Sequence, residues 1–363
     1  MHRTIRLHTI MPACATVCTL VIVLLSLSAA ARDAAASPPQ AWWRVFGHLH
    51  SADGRRFDFS VSFFRFALPR GAKGDAGVVS AWRGAALVPA TFIIVDERTR
   101  RAYTSTRLER EALGLAQFAA RRPQLRIGNW SLEGNASPWR QRHFTLHVVE
   151  HDVELELEQT PLKPPVRYGS DGRLQTGSCA SCSAHEEAYT RLRASGTLEL
   201  GGTRYALTGT TWLDHESSSH ELGPGDVGWD RFAIQLDDGR DVDLRVVRRR
   251  DGKPSIASSG IVVTADGRTM RLRATDFSVE NPLRTRWRNP RTNIAYPSLW
   301  EIFVPRAHLD LAVVPPLQAQ EISAADGPAY YDGTIDVERA PAPGGDPGQG
   351  YVELTGYGRP LRL

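Results

Sequence analysis

The chain has 363 residues, of which 42% are hydrophobic and 23% are charged, and its formal net charge at pH 7 is +4. This length is long for one hydrophobic core and suits two domains. The charge is close to neutral and no basic stretch is interleaved with aromatic residues, so the composition gives no support for nucleic-acid binding.

The first 36 residues have the pattern of a secretory signal peptide. Arg3 and Arg6 precede an apolar run over about residues 17–30, and small residues follow it up to Ala36. We therefore expect residues 1–36 to be removed and the mature protein to be periplasmic or secreted. The alternative is an uncleaved anchor that keeps the protein membrane-associated, although the apolar run is short for a membrane span.

Most of the remaining chain alternates apolar and polar residues with a period of two, which is typical of half-buried antiparallel strands. The clearest runs are residues 55–66, 144–159, 197–216 and 270–279. Asp-Gly pairs predict tight turns between such runs, at 52–55, 237–240, 251–252 and 265–268. Strands joined by tight turns predict an all-β protein of barrels or sandwiches. Gly-Pro-Gly-Asp at 223–226 suits a domain boundary, which gives domains at 40–222 and 223–363.

Residues 106–122 break this alternation. Leu108, Ala112, Leu115 and Ala119 fall near one helical face, with arginines elsewhere. This spacing predicts one short amphipathic helix packed on a barrel. Its arginines either face solvent or contact a membrane or an anionic ligand.

Two of the four cysteines, Cys14 and Cys18, lie in the predicted signal peptide. The other two, Cys179 and Cys182, form a Cys-x-x-Cys motif. In an exported protein this spacing favours a local disulfide. A redox pair would need a helix N-terminus after the motif, and a zinc knuckle would need a second cysteine pair.

Residues 215–220, His-Glu-Ser-Ser-Ser-His, invite a comparison with zinc protease helices. Those helices place two histidines four positions apart, on one face. Here His215 and His220 are five apart, about 140° around a helix, and the serines between them favour turns. We expect no metal ion at this motif.

If residues 210–216 form a strand, Trp212, Asp214 and Glu216 share one face while Leu213 and His215 share the other. Inside a barrel, the first face could bind an apolar ligand on the indole and raise the pKa of a desolvated carboxyl group. On the outside of a barrel, it would be a solvated acidic edge.

The strand predicted at 228–236 places Asp230 and Phe232 on an apolar face, opposite Trp229. Asp230 could form a small polar site in an apolar cavity, or a salt bridge to Arg231 or Arg245.

In an earlier predicted strand, His48 and His50 share a face with Phe46. They could line the mouth of a cavity. They could also be ordinary hydrogen-bonded histidines.

Several short sequence segments occur along the chain in a distinctive order: WRVFGHL (43–49), FSVSFFRFAL (59–68), GTTWLDHE (209–216), YPSLWEIFVP (296–305) and GYVELTGYG (350–358). In this the chain resembles the AttH-like and carotenoid 1,2-hydratase (CrtC) family over nearly its whole mature length. The resemblance implies two consecutive lipocalin-like antiparallel β-barrels.

The carotenoid hydratases of that family add water to an isoprenoid C=C bond without a cofactor, which requires an acid and a base. Their motif is an Asp-His pair followed by a polar residue and a Trp, and it falls on Asp214, His215 and Glu216. Ser217 takes the place of the Trp. An aromatic face stabilises a carbocation, so this departure counts against a carotenoid substrate.

The following strand of the family motif carries a Tyr and an Asp. This sequence offers Asp241 and Asp243 there and no Tyr, so Asp243 is the further catalytic candidate. The sequence is closer to the AttH-like branch, whose members are exported and often linked with transporters.

Two functions follow from the resemblance. In the first, the protein adds water to an apolar isoprenoid or acyl ligand, or hydrolyses it, without a cofactor: Asp214 and Glu216 are acid and base, and His215 orients one of them. The apolar wall would then be aromatic, formed by Trp212, Trp229 and Phe232. In the second, the protein is a non-catalytic lipid carrier or an accessory of an inner-membrane ABC transporter, and the same cluster joins the two domains.

Overall fold

Two large antiparallel sheets, each curled into a nearly closed barrel, account for most of the protein. The structure is a computed structural model and describes residues 40–68, 86–119, 123–169, 172–218, 222–323, 328–338 and 347–361. All of these residues belong to one compact unit, Pro38–Leu363. The expected all-β architecture of two lipocalin-like barrels is confirmed.

The first sheet has thirteen strands, in the order β4-β3-β2-β1-β13-β12-β9-β8-β7-β6-β5, with β10 and β11 paired to β12. Its strands are β1 (Gln40–Ser51), β2 (Arg56–Ala67), β3 (Ala86–Asp96), β4 (Arg101–Arg110), β5 (Ala116–Phe118), β6 (Gln124–Ile127), β7 (Trp130–Gly134), β8 (Phe144–Glu150), β9 (Val153–Pro161), β10 (Val166–Arg167), β11 (Arg173–Gln175), β12 (Ser183–Leu200) and β13 (Thr203–Ser218).

The second sheet has ten strands, in the order β17-β16-β15-β14-β25-β24-β22-β21-β18, with β23 paired to β24. The strands of the second half of the chain are β14 (Asp226–Leu236), β15 (Asp241–Arg249), β16 (Ser259–Val263), β17 (Thr269–Arg273), β18 (Ser278–Glu280), β19 (Arg286–Arg288), β20 (Ala295–Pro297), β21 (Trp300–Val304), β22 (Leu309–Val314), β23 (Glu321–Ile322), β24 (Tyr330–Glu338) and β25 (Gly348–Leu354). Of these, β19 and β20 form a separate hairpin.

The central strands of the two sheets are buried on both faces. Along β1, Val45 and Leu49 belong to the core of the first barrel, whereas Phe46 packs against Tyr351 of β25 with ring centroids 4.5 Å apart. Along β14, Phe232 belongs to the core of the second barrel. Each such strand therefore turns one set of alternate residues inward and the other set toward the opposite sheet.

Tight turns form at the four predicted Asp-Gly positions. Their glycines, Gly54, Gly239, Gly252 and Gly267, all have positive φ angles between 77° and 86°. Glycine adopts this conformation without steric cost, which explains why the Asp-Gly signal located these hairpins.

The predicted helix at 106–122 is wrong. The segment continues β4 to Arg110, turns at Leu113 and Gly114 with positive φ angles, and enters β5; residues 120–122 lie outside the described residues. Leu108 and Leu115 are 57% and 49% exposed, so the apolar positions form no buried face. Pairing of β4 with β3 over its whole length outweighs the helical spacing.

Within the described ranges there is no α-helix, and no helix long and apolar enough to cross a membrane. The predicted signal peptide lies outside the described residues.

Candidate functional site between the two sheets

A layer of charged side chains lies between the sheets. Asp214 and Glu216 of β13 are fully buried and point at the second sheet, rather than into a barrel or into solvent. Arg245 of β15 donates a hydrogen bond from Nη2 to Glu216 Oε2 over 2.6 Å. The Nη2 atom of Arg231, on β14, lies 2.8 Å from Asp214 Oδ2. The acidic face of β13 thus meets a basic face from the other barrel.

Two more carboxyl groups surround Arg231. Its Nη2 atom donates to Asp243 Oδ2 over 2.6 Å and lies 2.6 Å from Glu186 Oε1. Asp243 also accepts a hydrogen bond from the Tyr168 hydroxyl over 2.7 Å. Although Asp214 Oδ2 is close to Arg231, neither Asp214 oxygen receives a well-aligned hydrogen bond within the described part of the chain. Asp214 is therefore held mainly by charge.

The layer continues to Arg44 of β1, which forms a buried ion pair with Glu353 of β25. Glu353 Oε1 also accepts a hydrogen bond from Trp229 Nε1 over 3.2 Å. Beside them, Asp332 of β24 accepts a hydrogen bond from Ser60 over 3.3 Å.

This layer brings six carboxyl groups to three guanidinium groups, and this excess of buried carboxyl groups favours the protonated form of some of them. The carboxyl groups are Glu186, Asp214, Glu216, Asp243, Asp332 and Glu353, and the guanidinium groups are Arg44, Arg231 and Arg245. Burial raises the pKa of Glu186 to about 8, that of Asp332 to about 7 and that of Asp214 to about 6, because desolvation outweighs the nearby arginines. The raised pKa favours the protonated form of Glu186 at neutral pH.

A cavity of about 230 Å³ opens beside this layer, between the two sheets. Its wall is apolar and comes from both sheets: Trp42, Phe64, Phe66, Pro89, Ile322 and Tyr330. This volume lies below the range of about 300–1,000 Å³ for small-molecule pockets, so it suits a small ligand or one end of a longer one.

The polar end of the cavity is formed by Arg44, Arg245 and Glu353. Each is at most 6% exposed, so these charges face the cavity rather than bulk solvent. Trp229 lies beside them and also lines the cavity. An apolar wall with a few convergent polar groups is the usual composition of a ligand site.

The AttH-like sequence profile matches residues 28–357. The chain belongs to the AttH-like family. Two solved structures have a similar fold. A Nitrosomonas europaea protein assigned as an AttH is 24% identical, covers 88% of this chain and 93% of its own, and superimposes with a TM-score of 0.76. Kievitone hydratase from Nectria haematococca is 13% identical, covers 89% and 91%, and has a TM-score of 0.64. No curated protein sequence matches the chain.

Of the five ligand-binding residues predicted for this AttH-like protein, Trp229 lines the cavity. Trp212 is instead fully buried against Phe46, with ring centroids 5.8 Å apart. Phe232 packs edge-on against Trp300 in the core of the second barrel. Both are packing residues: strand alternation turns Phe232 into the second barrel, whereas Trp212 faces the other sheet but packs in the inter-sheet cluster with Phe46 and does not line the cavity.

Asp230 and His48 also lie away from the cavity. Asp230 pairs with Arg248, whose Nε donates over 2.8 Å, and accepts from the Tyr357 hydroxyl over 2.9 Å. The expected salt bridge therefore exists, but to a different arginine. His48 Nδ1 lies 2.8 Å from Asp58 Oδ1, at the far end of the inter-sheet layer.

His215 cannot orient Asp214 or Glu216. It lies on the opposite face of β13, where its ring stacks on Trp43 with centroids 4.1 Å apart and hydrogen-bonds to the backbone carbonyl of Trp42 over 2.8 Å. The three predicted catalytic carboxyl groups, Asp214, Glu216 and Asp243, do not line the cavity either. Glu216 binds Arg245, which lines the cavity, whereas Asp214 and Asp243 bind Arg231, which does not.

Cys179 and Cys182 form a disulfide in the loop after β11. In the same loop, the Ser178 backbone N–H donates to Asp226 over 2.9 Å, which fastens the loop to the start of β14. Among the described residues, no cluster of three or more His, Cys, Asp or Glu side chains is placed to hold a metal ion, and His220 lies outside them.

Sequence reasoning missed Arg44, Glu353 and Tyr330 as cavity residues. Arg44 follows two tryptophans, and Glu353 stands between Val352 and Leu354. A charged residue in the middle of an otherwise apolar strand was the available signal, since such a strand has no solvated face for it.

Proposed function

We propose that this AttH-like protein is exported and binds an apolar unsaturated ligand, an isoprenoid or an acyl lipid, in the cavity between its sheets. The observation that carries this proposal is the combination of an apolar wall with one charged end, at Arg44, Arg245 and Glu353. Trp42 and Phe66 from the first sheet and Tyr330 from the second would contact the apolar part of the ligand.

We further propose that the protein adds water to this ligand, or hydrolyses it, without a cofactor. Glu353 is the carboxyl group that lines the cavity, so it replaces Asp214 and Glu216 as the acid and base. It would accept a proton from water as the C–O bond forms and return that proton to carbon. The name of the kievitone hydratase neighbour agrees with this chemistry, but at 13% identity the likeness concerns the fold alone.

A non-catalytic role is the second candidate, as a lipid carrier or as an accessory of an inner-membrane ABC transporter. The fully buried Asp214, paired with Arg231, supports it, because a carboxyl group that joins the barrels serves stability without chemistry.

Native mass spectrometry of the mature protein from its own host tests both functions. We expect an apolar molecule to co-purify. Incubated with that molecule, the wild type should consume one water per turnover, giving one product heavier by one water or two hydrolysis products whose masses sum to that value, and Glu353→Gln should retain binding but lose turnover.

Glu301→Gln, an exposed carboxylate of the second sheet, is the matched control and should behave like the wild type. Binding without any product would favour the carrier, and an empty protein that takes up no apolar molecule would contradict the proposed function.

A further inference from the structure

We infer that the ligand is a conjugated carbonyl compound, and that water adds to it through an enolate oxyanion held by Arg245 rather than through a carbocation. This inference rests on the proposed function. It follows from the charges that face the cavity, from the free donors of Arg245 and from the position of the guanidinium groups over the indole rings.

The charged residues that line the cavity are two arginines and one carboxylate, among the described residues. Arg44 pairs with Glu353, and Arg245 is balanced by Glu216, which does not line the cavity, so a ligand meets the Arg245 guanidinium group without its counter-ion. A developing oxyanion can accept hydrogen bonds from this guanidinium group, whereas a developing carbocation cannot.

Arg245 has hydrogen-bond donors to spare. Its Nη2 atom is used by Glu216, but its Nε and Nη1 atoms donate to no other group within the described ranges. Because Arg245 lines the cavity, these N–H groups are available to a ligand oxygen. A guanidinium group held by buried carboxylates is a preorganised donor, which is the requirement for oxyanion stabilisation.

Both indole rings that line the cavity already have arginine cations close to their centres. Arg44 lies 5.0 Å and Arg231 5.5 Å from the Trp42 ring centre, and Arg245 lies 5.8 Å from that of Trp229. Cation–π stabilisation of a carbocation would need these faces. These two indole rings are therefore less able to stabilise a carbocation formed by alkene protonation.

The chemical step balances without an oxidant or a cofactor. Glu353 removes a proton from water as the water oxygen bonds to the β-carbon. The C=C electron pair becomes the new double bond between the α-carbon and the carbonyl carbon, and the C=O π pair moves onto the oxygen beside Arg245. The enolate then collapses, the α-carbon takes the proton back from Glu353, and the product is a β-hydroxy carbonyl compound.

Three small aromatic probes test this inference with the wild-type protein: benzylideneacetone, a conjugated ketone; benzylacetone, its saturated analogue; and prenylbenzene, an isolated alkene of isoprenoid type. We expect benzylideneacetone to bind with a red-shifted absorption maximum, because a guanidinium group polarises its carbonyl, and to gain one water. Benzylacetone should bind and inhibit competitively, and prenylbenzene should not react.

Arg245→Lys keeps the charge beside Glu216 but loses the planar donor geometry, so it should abolish the red shift and slow hydration at least about tenfold. Arg249→Lys, on the same strand and exposed, is the control. If Arg245→Lys fails to fold, the absorption spectrum of benzylideneacetone bound to the wild-type protein still tests the inference.

Hydration of prenylbenzene but not benzylideneacetone would overturn the inference and support the proposed function. Binding of benzylideneacetone without a red shift or product would also overturn the inference. Failure of all three probes to bind would count against both.

Discussion

Arg245 and Glu216 join the two barrels through a hydrogen bond of 2.6 Å that is buried from solvent on both sides. Each residue lies on a central strand of its sheet, so the bond bridges the middle of the contact rather than its rim. A buried ion pair adds little compared with apolar packing, but removal of one partner leaves an uncompensated charge.

Glu216→Gln should therefore lower the free energy of unfolding by about 3 kcal/mol. Urea denaturation at neutral pH measures the change. The exposed control Glu301→Gln should stay within about 0.5 kcal/mol of the wild type. Equal urea midpoints for the two variants would show that the inter-sheet ion pair contributes nothing.

Stability should fall as the pH rises from about 5 to about 8. Burial raises the pKa of Glu186 from its ordinary 4.5 to about 8, so in this window the folded protein binds more protons than the unfolded chain. Asp214 and Asp332 act in the same direction. Burial lowers the pKa of His50, so this residue has the opposite and smaller effect on the pH dependence of stability.

Glu186→Gln should flatten this profile, and urea midpoints at about pH 5 and about pH 8 would measure it. Glu187→Gln, its neighbour on β12, is the control, because Glu187 is partly exposed and pairs with Arg167 at the surface. A Glu186→Gln profile as steep as that of the wild type would place the titration elsewhere.

Phe66→Ala should weaken binding of an apolar ligand by about five- to tenfold, because it removes about 1 kcal/mol of apolar contact from the cavity wall. Titration with benzylacetone measures the dissociation constant. Phe303→Ala is the control, since Phe303 is 47% exposed on β21 and does not line the cavity. An equal loss in both variants would mean that the ligand binds outside the cavity.

Replacement of Cys179 and Cys182 by alanine should cost about 2 kcal/mol of stability or less, as expected for a bond that closes a very short loop. Denaturation of the double variant, compared with the wild type under reducing conditions, checks this. Benzylacetone binding should be unchanged, because neither cysteine lines the cavity. A lost affinity would instead connect this loop with the ligand site.

The sequence predicted which side chains share a face of a strand, but it did not predict which residues line the cavity. Alternation placed Asp214 and Glu216 on one face of β13 and Leu213 on the other, because the side-chain period of a strand is fixed. The partner of that face depends on how two distant sheets pack. Arg44 and Glu353 lie near opposite ends of the chain and form an ion pair in the folded protein. A local sequence pattern cannot predict a contact between such distant residues.

The helix error has a related cause. Leu108 and Leu115 have helical spacing, but a periodic pattern indicates a buried face only when a surface covers it. Here the segment that contains Leu108 pairs with β3 as a strand, and both leucines are exposed. For Asp230, the sequence supplied the correct interaction and the wrong arginine. Arg248 lies opposite Gly228, two positions from Asp230 and on the same face of the strand pair, whereas Arg231 and Arg245 point to the other face.

Burial of the central strands on both faces determines which of their positions should tolerate amino-acid substitution. Along β9, buried and exposed positions alternate, so every second codon should accept polar and charged replacements. Along β1 and β14 almost every position is buried, and no such alternation is available. A saturation library should therefore show constraint at nearly every position of these two strands, imposed by apolar volume on the barrel side and by apolar packing together with buried charges such as Arg44 and Arg231 on the other side.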